Sequence, residues 1–192
     1  MKGLYEVIAG TQLFYYSPEA GILIVRGEMY TSQGRNLTDE KRLEIIAERV
    51  KDIPLEKALR VGNGKNQVIE FSDPDCSHCR RASTFFAERR DVARYIFFFP
   101  LSPQSETKVR YILCSEDPVK AYEEAYAGKL DAVKVEVCKD EKVDERLKAH
   151  RAAANRLGIE GTPFFIVNGN IVAGANLPTL TKLLGANTDG KQ

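Results

Sequence analysis

The chain has 192 residues, of which 43% are hydrophobic, and it carries 28 basic and 27 acidic residues. This length suits one full domain with a small accessory piece. The even charge balance gives no electrostatic basis for binding nucleic acid or an acidic membrane surface. No stretch approaches the roughly 20 consecutive apolar residues that are needed to span a bilayer.

Residues 1–38 are predicted to form a small β-sheet. Strand-like patterns cover residues 4–8, 12–16 and 22–30, and the turn residues at 17–21 separate the second strand from the third. A sheet of this size has too little core to be stable alone. It therefore needs a surface to pack on, either on the same chain or on a second copy of the sheet. The second copy is the economical choice and predicts a homodimer.

A linker helix is predicted at residues 39–57. Thr38 offers a hydroxyl N-cap, and Asp39 and Glu40 place acidic side chains in the first turn. Apolar residues then recur at helical spacing until Pro54 closes the pattern. One apolar stripe on an otherwise charged helix is typical of a connector that contacts its neighbours only lightly.

The remaining residues, 58–192, contain two cysteines separated by Ser77 and His78, at a point where a short apolar strand passes into a helix. Free cysteine has a pKa near ~8.5, and only its thiolate attacks disulfides. The unpaired N–H groups of a helix N-terminus favour negative charge, and His78 with the two arginines that follow Cys79 would add to this effect. We therefore predict that Cys76 attacks and that Cys79 resolves the mixed disulfide.

A structural disulfide or a zinc site is the alternative interpretation of the same two cysteines. Zinc would need a second matched pair of ligands, and Cys114 and Cys138 lack that spacing while His150 is isolated. The spacing thus favours a redox site without a metal.

Two further features support redox chemistry. Glu70 lies six residues before Cys76 and is a candidate acceptor for the proton of Cys79, the alternative being a strand-end charge that reaches solvent. Pro163 enters an apolar strand, where it cannot donate a hydrogen bond to the sheet. Its position after Thr162 indicates a special backbone, which a cis peptide bond would supply.

The segment 71–79, Phe-Ser-Asp-Pro-Asp-Cys-Ser-His-Cys, followed by Gly-Thr-Pro at 161–163, resembles the thioredoxin fold. More narrowly, it is similar to the periplasmic disulfide isomerases of the DsbC/DsbG group. Residues 94–100 and 168–174 resemble the strand after the active-site helix and the C-terminal hairpin of that family. The resemblance covers nearly the whole chain.

The resemblance implies an α/β architecture. A thioredoxin-like catalytic domain at 58–192, with a helical insertion at about 101–158, would follow a linker helix and an N-terminal dimerisation domain that is shorter than usual. A last helix is predicted at 178–184 and a loose tail at 187–192. The resemblance also implies that Cys114 and Cys138 form a structural disulfide, the alternative being two unrelated buried thiols. The chain has four cysteines in all, and this even count suits an oxidising compartment.

In function, the resemblance implies a homodimeric disulfide isomerase that acts on misfolded or wrongly disulfide-bonded exported proteins in the periplasm. A membrane thiol reductase of the DsbD type would keep it reduced, with no metal or organic cofactor. Thr162 and Pro163 would shape the substrate groove, and Ser77 and His78 would tune the redox site. The start of the chain lacks a signal peptide's apolar region, so we expect a mature or trimmed form.

The dipeptide between the cysteines departs from that family, in which Gly-Tyr or Pro-Tyr is common. His78, together with the acid at Glu70, resembles the strongly oxidising enzymes of the DsbA type. A dithiol oxidase that donates disulfides is therefore the alternative enzyme, and a holding chaperone with a vestigial disulfide is the alternative outside enzymes.

Overall fold

The structure, a computed structural model, describes residues 3–9 and 12–185. The chain divides into a first unit of residues 1–53 with 155–158 and a second unit of residues 54–154 with 159–192. The tail expected at 187–192 lies outside the described residues. No helix in the described part of the chain is long and apolar enough to cross a membrane.

The chain begins with three strands and continues with a mixture of helices and strands. In chain order they are β1 (Tyr5–Ala9), β2 (Gln12–Ser17), β3 (Ile22–Val25), α1 (Leu37–Arg49), β4 (Leu59–Val61), β5 (Asn66–Ser72), α2 (Ser77–Ala87), β6 (Val92–Phe98), α3 (Pro103–Cys114), α4 (Pro118–Tyr126), α5 (Glu141–Leu157), β7 (Phe164–Val167), β8 (Asn170–Ala173) and α6 (Leu177–Leu184).

The first unit contains an antiparallel sheet in the order β1-β2-β3. Leu13 and Tyr15 of the central strand are buried, whereas β1 and β3 are exposed along their whole length. The strand expected at 22–30 is wrong beyond Val25, because Arg26 adopts a positive φ of 59° that breaks the extended backbone. The small, mostly β N-terminal region is confirmed.

The helix after this sheet begins earlier and ends earlier than expected. Asn36, and not Thr38, is the N-cap, and its side chain accepts from the backbone N–H of Asp39. The Thr38 hydroxyl is instead buried, 2.5 Å from the hydroxyl of Tyr15. The predicted range 39–57 is also too long, because α1 ends at Arg49 and only two short 3-10 turns, at 50–52 and 55–57, follow it.

The second unit is built on a five-stranded sheet in the order β4-β6-β5-β7-β8, in which β5 and β6 are parallel and the other neighbours are antiparallel. The helical insertion is confirmed as α3, α4 and α5, which lie between β6 and β7 in the chain. The sheet with its covering helices is the thioredoxin-like α/β architecture that the resemblance implied.

The two faces of this sheet carry different side chains. Because alternate residues of a strand face opposite sides, Glu70 and Ser72 of β5 share one face, and the register places them beside Ile96 and Phe98 of β6. These two β6 residues pack in one core cluster with Cys79 of α2 and with residues of α3 and α4. Phe97 belongs to the opposite face and packs on His150 of α5, with ring centroids 5.2 Å apart.

Candidate active site

Cys76 lies at the N-cap of α2, directly after the loop that leaves the carboxyl end of β5. Its side chain makes no capping hydrogen bond, and its backbone carbonyl accepts from Arg80 N–H as the first helical acceptor. The thiol is half-buried and donates to the carbonyl oxygen of Thr162 at 3.5 Å. The N–H groups of the first helical turn therefore stand next to an accessible sulfur.

Cys79 lies one turn further along α2 and is fully buried. Burial raises the pKa of the Cys79 thiol to about 12, while the hydroxyl of Thr162 and the backbone N–H of Asp73 lower it. The Asp73 N–H donates to the Cys79 sulfur at 3.5 Å. The two cysteines are free thiols in this structure, one accessible and one shielded.

Asp73 organises the loop between β5 and α2. Its carboxylate is buried and accepts from the backbone N–H of Asp75 at 2.8 Å and of Leu101 at 2.8 Å. The carboxylate thereby fixes both the turn before Cys76 and the segment that follows β6. Asp73 was not among the predicted site residues, although an Asp-Pro-Asp run is a turn signal that points to such a role.

Thr162 and Pro163 stand opposite the cysteine pair, at the start of β7. The peptide bond between them is cis, which agrees with the special backbone expected there. Pro163 is buried, and its carbonyl accepts from Gly174 N–H at 2.8 Å. The carbonyl of Thr162 faces the Cys76 thiol, while its side-chain hydroxyl is buried and has no hydrogen-bond partner within the described residues.

Ser77 and His78 occupy the first turn of α2 and are exposed, so both are accessible beside Cys76. The two arginines that follow Cys79 have different partners. Arg80 donates two hydrogen bonds of 2.7 Å to Asp131, and Arg81 donates to the backbone carbonyl of Ala175.

Arg80 belongs to a four-residue charge network beside the Cys76 loop. Lys108 of α3 donates to Asp75 at 2.5 Å and to Asp131 at 2.6 Å, and Arg80 also contacts Asp75. The hydrogen bonds from Arg80 and Lys108 hold the pKa of Asp131 well below its usual range. Two cations and two anions thus compensate each other, and the excess positive charge expected from Arg80 is absent from this network.

Glu70 is fully buried in the middle of β5, so the alternative of a charge that reaches solvent is wrong. Its Oε2 accepts from Nε of Arg94 at 3.0 Å and from Nη2 at 2.6 Å. Arg94 Nη2 also donates to the Tyr122 hydroxyl at 2.6 Å, and Tyr122 donates to Ser83 at 2.9 Å. Arg94 was not among the predicted site residues, because it meets Glu70 only through the pairing of β5 with β6.

Cys114 and Cys138 form a disulfide with a Cα–Cα distance of 5.8 Å, as the resemblance implied. The bond joins the end of α3 to the loop between α4 and α5, the loop that also carries Asp131. In the described part of the chain, no cluster of three or more His, Cys, Asp or Glu side chains has the arrangement to hold a metal ion.

Comparison with known families gives two matches. The family described as thioredoxin-like domain matches residues 55–186, and the one described as disulfide bond isomerase protein N-terminal domain matches residues 1–39. The strand–loop–helix site described above falls within the first match.

Similar proteins carry names from disulfide exchange. A probable thiol:disulfide interchange protein DsbC of Bordetella pertussis is 30% identical over 178 residues, which cover 90% of this chain and 61% of that protein. The thiol:disulfide interchange protein DsbC of Salmonella typhimurium is 28% identical over 190 residues, covering 93% of this chain and 74% of that one. The chain spans about three fifths of the length of the Bordetella relatives.

Solved structures show the same fold. A disulfide interchange protein from Neisseria gonorrhoeae is 31% identical, with a TM-score of 0.56 over 69% of this chain and 96% of that one. The thiol-disulfide exchange protein alpha-DsbA2 from Wolbachia pipientis has a TM-score of 0.63 over 79% of this chain and 98% of that one. At 20% identity, the second likeness bears on the fold alone.

Proposed function

Because this chain belongs to the thioredoxin-like domain family, we propose that it is a thiol–disulfide oxidoreductase that works through Cys76 and Cys79. The observation that carries the proposal is the pairing of an accessible thiol at the N-cap of α2 with a buried thiol one turn later. The first is placed to react with a protein disulfide, and the second is shielded from solvent until a mixed disulfide forms.

The reaction begins when the Cys76 thiolate attacks one sulfur of a substrate disulfide. A new bond forms between Cys76 and that sulfur, and the other substrate sulfur leaves as a thiolate. Renewed attack by a substrate thiolate releases Cys76 and isomerises the substrate. Attack by Cys79 instead closes the Cys76–Cys79 disulfide and leaves the substrate reduced. Neither route needs a metal or an organic cofactor.

The other predicted site residues assist this exchange. The backbone beside Pro163 receives an extended substrate segment, because the Thr162 carbonyl already lies 3.5 Å from the attacking sulfur. Exposed Ser77 and His78 tune the stability of the reduced state. Glu70 accepts the proton of Cys79 during resolution. For Glu70→Gln we expect slower resolution of a mixed disulfide, and unaltered kinetics would remove Glu70 from the mechanism.

Isomerisation of wrongly paired disulfides in exported proteins is the activity we favour. Its main support is the N-terminal region, which matches the N-terminal domain of disulfide bond isomerases. DsbC-named relatives match across the first unit and the second. The compartment we propose is the periplasm, where a membrane thiol reductase of the DsbD type would keep the Cys76–Cys79 pair reduced.

The homodimer is supported by an apolar face on the N-terminal sheet. The register places six large apolar side chains, together with Ala9 and Gln12, on the face opposite Leu13 and Tyr15. The six large apolar residues are Tyr5, Val7, Phe14, Tyr16, Leu23 and Val25. Five of the six are among the exposed large hydrophobic residues, and a contiguous apolar surface of this kind marks an interaction site. A second copy of the same sheet is the occupant we propose.

A dithiol oxidase is the second candidate, favoured by the exposed His78 between the cysteines. A histidine that stabilises the reduced state makes the disulfide a stronger oxidant. The two activities require opposite resting states, because an isomerase acts as the dithiol and an oxidase acts as the disulfide.

Refolding of a scrambled multi-disulfide protein in a glutathione buffer tests the proposal. We expect catalytic amounts of the wild-type chain to restore substrate activity, and Cys76→Ala to abolish the effect. Rapid oxidation of a reduced substrate without rescue of the scrambled one would establish the oxidase. Rescue that Cys76→Ala leaves intact would establish a holding chaperone.

The dimer is tested in the same assay and by light scattering after size exclusion. We expect Leu23→Lys with Val25→Lys to give a monomer that loses isomerase activity, because both lysines lie on the apolar face. Leu43→Lys, at an exposed apolar position of α1, is the matched control. A doubly substituted chain that stays dimeric would contradict the assignment of this face.

A further inference from the structure

The backbone of Asp73 contacts both cysteines of the Cys76–Cys79 pair. Its carbonyl oxygen accepts from the backbone N–H of Cys76 at 3.1 Å, and its own N–H donates to the Cys79 sulfur at 3.5 Å. The first of these bonds closes a β-turn over residues 73–76, with aspartate at the first position and Pro74 at the second, where both residue types are favoured. One residue thus supports the backbone of the attacking cysteine and the sulfur of the resolving one.

The side chain of Asp73 is a buried carboxylate without a cation. Its exposure is 2%, and among the described residues no lysine, arginine or histidine forms an ion pair with it. Oδ1 accepts from the N–H of Asp75 and Oδ2 from the N–H of Leu101, each at 2.8 Å. A buried charge is costly unless hydrogen bonds compensate it, so this carboxylate depends on two backbone donors.

The two donors belong to different segments of the chain. The bond from Asp75 is local and tightens the turn that contains Asp73. The bond from Leu101 joins that turn to the segment between β6 and α3. Because the Leu101 side chain is 59% exposed, its burial does not hold this segment in place. The carboxylate therefore fixes the peptide of Asp73 from two sides, independently of α2.

The N–H of Asp73 suits a thiolate better than a thiol. Cys79 is fully buried, so this donor acts on the sulfur in surroundings without solvent. A neutral thiol is a weak acceptor, whereas hydrogen bonds to an ionised acceptor are about twice as strong as neutral ones. The contact therefore gains strength as Cys79 ionises and attacks, provided that the N–H is already held in place.

We propose that Asp73 is the positioning residue of the resolving step, in which its carboxylate holds its own backbone N–H against the Cys79 sulfur so that this N–H stabilises the attacking thiolate. The inference rests on the proposed function and adds the group that prepares the buried cysteine. With its proton at Glu70, the Cys79 thiolate attacks the Cys76 sulfur. A bond forms between the two cysteines, the bond from Cys76 to the substrate sulfur breaks, and the substrate leaves as a thiolate.

Charge and positioning have opposite effects on this step. A carboxylate near Cys79 disfavours the thiolate by repulsion, so its neutralisation would speed the attack if Asp73 acted through charge alone. If Asp73 acts by holding the N–H donor, the same substitution slows the attack. The sign of the change therefore decides between the two roles.

The aromatic disulfide dithiobis(nitrobenzoate) separates the two cysteines in the full chain. Cys76 releases one thionitrobenzoate in a second-order phase, and attack by Cys79 on the mixed disulfide releases another in a first-order phase. Asp73→Asn replaces one carboxylate oxygen by an NH₂ group, which cannot accept from a backbone N–H. We expect the second phase to slow about tenfold, less than the roughly hundredfold or greater effect of removing an oxyanion-hole donor outright. The first phase should not slow.

The pH profile gives a readout that a loss of structure would not produce. Because the thiolate loses part of its donor, the profile of the second phase in Asp73→Asn should move to higher pH. Neutralisation of a repelling charge would move it to lower pH instead. A loss of fold would reduce the amplitudes of both phases and the circular dichroism of the chain.

Asp75→Asn is the matched control, because it makes the same chemical change in the same turn. Its side chain contacts Arg80 and Lys108, and its backbone N–H remains available to Asp73. The second phase should not slow in this variant. Leu101→Pro removes the other donor without altering Asp73, whereas Leu101→Ala keeps it. We expect the proline variant to slow the second phase, by less than Asp73→Asn, and the alanine variant to match the wild type.

The outcomes distinguish this inference from the proposed function. A wild-type chain that shows no second phase would overturn the proposed function itself. A wild type with two phases, combined with a second phase in Asp73→Asn at least as fast as that of Asp75→Asn, would overturn only the role of Asp73. Should Asp73→Asn not fold, equal second phases in Leu101→Pro and Leu101→Ala would overturn that role, and a slower phase in the proline variant would support it.

Discussion

Arg94→Met tests whether the buried ion pair supports the face of the sheet on which Cys79 rests. Arg94 and Glu70 have side-chain exposures of 5% and 0%, and Arg94 also lies over the rings of Phe86 at 4.7 Å and Tyr122 at 5.3 Å. Methionine keeps much of the apolar stem of the arginine but leaves the Glu70 carboxylate buried without its cation.

The expected loss follows from this burial. Removal of one partner of a buried ion pair costs about 3–5 kcal/mol, because the charge that remains has neither solvent nor counterion. Total stabilities of domains are about 5–15 kcal/mol, so Arg94→Met should lower the denaturant midpoint substantially. The double variant Arg94→Met with Glu70→Leu removes both charges and should recover most of the loss.

The measurement is urea unfolding followed by circular dichroism, since the chain has no tryptophan to report by fluorescence. All variants are compared with the same cysteines oxidised. Arg110→Met is the control, because Arg110 forms ion pairs that are partly exposed, with side-chain exposure of 28%, and should cost about 1 kcal/mol or less. A loss in Arg94→Met no greater than in Arg110→Met, or a double variant as unstable as the single one, would refute the reasoning.

Three further predictions follow from other parts of the second unit. The double variant Cys114→Ala with Cys138→Ala should lower the free energy of unfolding by about 3.5 kcal/mol, because the disulfide closes a loop of about 25 residues. Unchanged unfolding would show that other contacts constrain this loop. Burial lowers the pKa of His150 to about 4, so the unfolded state binds the proton first as pH falls. Stability should therefore decline by about 3 kcal/mol between about pH 6.5 and pH 4, and His150→Gln should flatten that slope. Asp131→Asn leaves Arg80 and Lys108 with the carboxylate of Asp75 alone. The alkylation of Cys76 by iodoacetamide should therefore quicken about two- to threefold. An unchanged rate would show that the charge network does not influence the thiol.

The parts of the site that lie close together in the chain were predictable from sequence. Cys76, its place at a helix N-terminus and its shielded partner Cys79 depend on one strand–loop–helix segment, and strand and helix patterns locate that segment. The special backbone before Pro163 follows from a proline at the start of an apolar strand. Local chemistry decides these features, so a local pattern reveals them.

The parts that depend on tertiary pairing were not predictable. Glu70 has the same strand pattern whether it reaches solvent or meets Arg94, and the parallel register of β5 and β6 decides between the two. The start of α1 was misplaced for a similar reason. Asn36 and Thr38 are both good caps by residue type, and the contact of Thr38 with Tyr15 of β2 leaves the capping position to Asn36.

The polar atoms around Cys79 are costly while the thiol is protonated. A buried oxygen without a partner costs about 1–3 kcal/mol, and among the described residues Glu70, Ser72, Tyr126 and Thr162 each contribute one such atom. When Cys79 ionises, the hydroxyls of Ser72 and Thr162 gain an anion to which they can donate, and both lower the pKa of Cys79. The cost of the resting state is thereby reduced only as the sulfur acquires charge. Only interactions that strengthen toward the transition state speed a reaction. Because these hydroxyls stabilise the ionised sulfur of Cys79 more than its protonated form, they lower the barrier to the attack by Cys79.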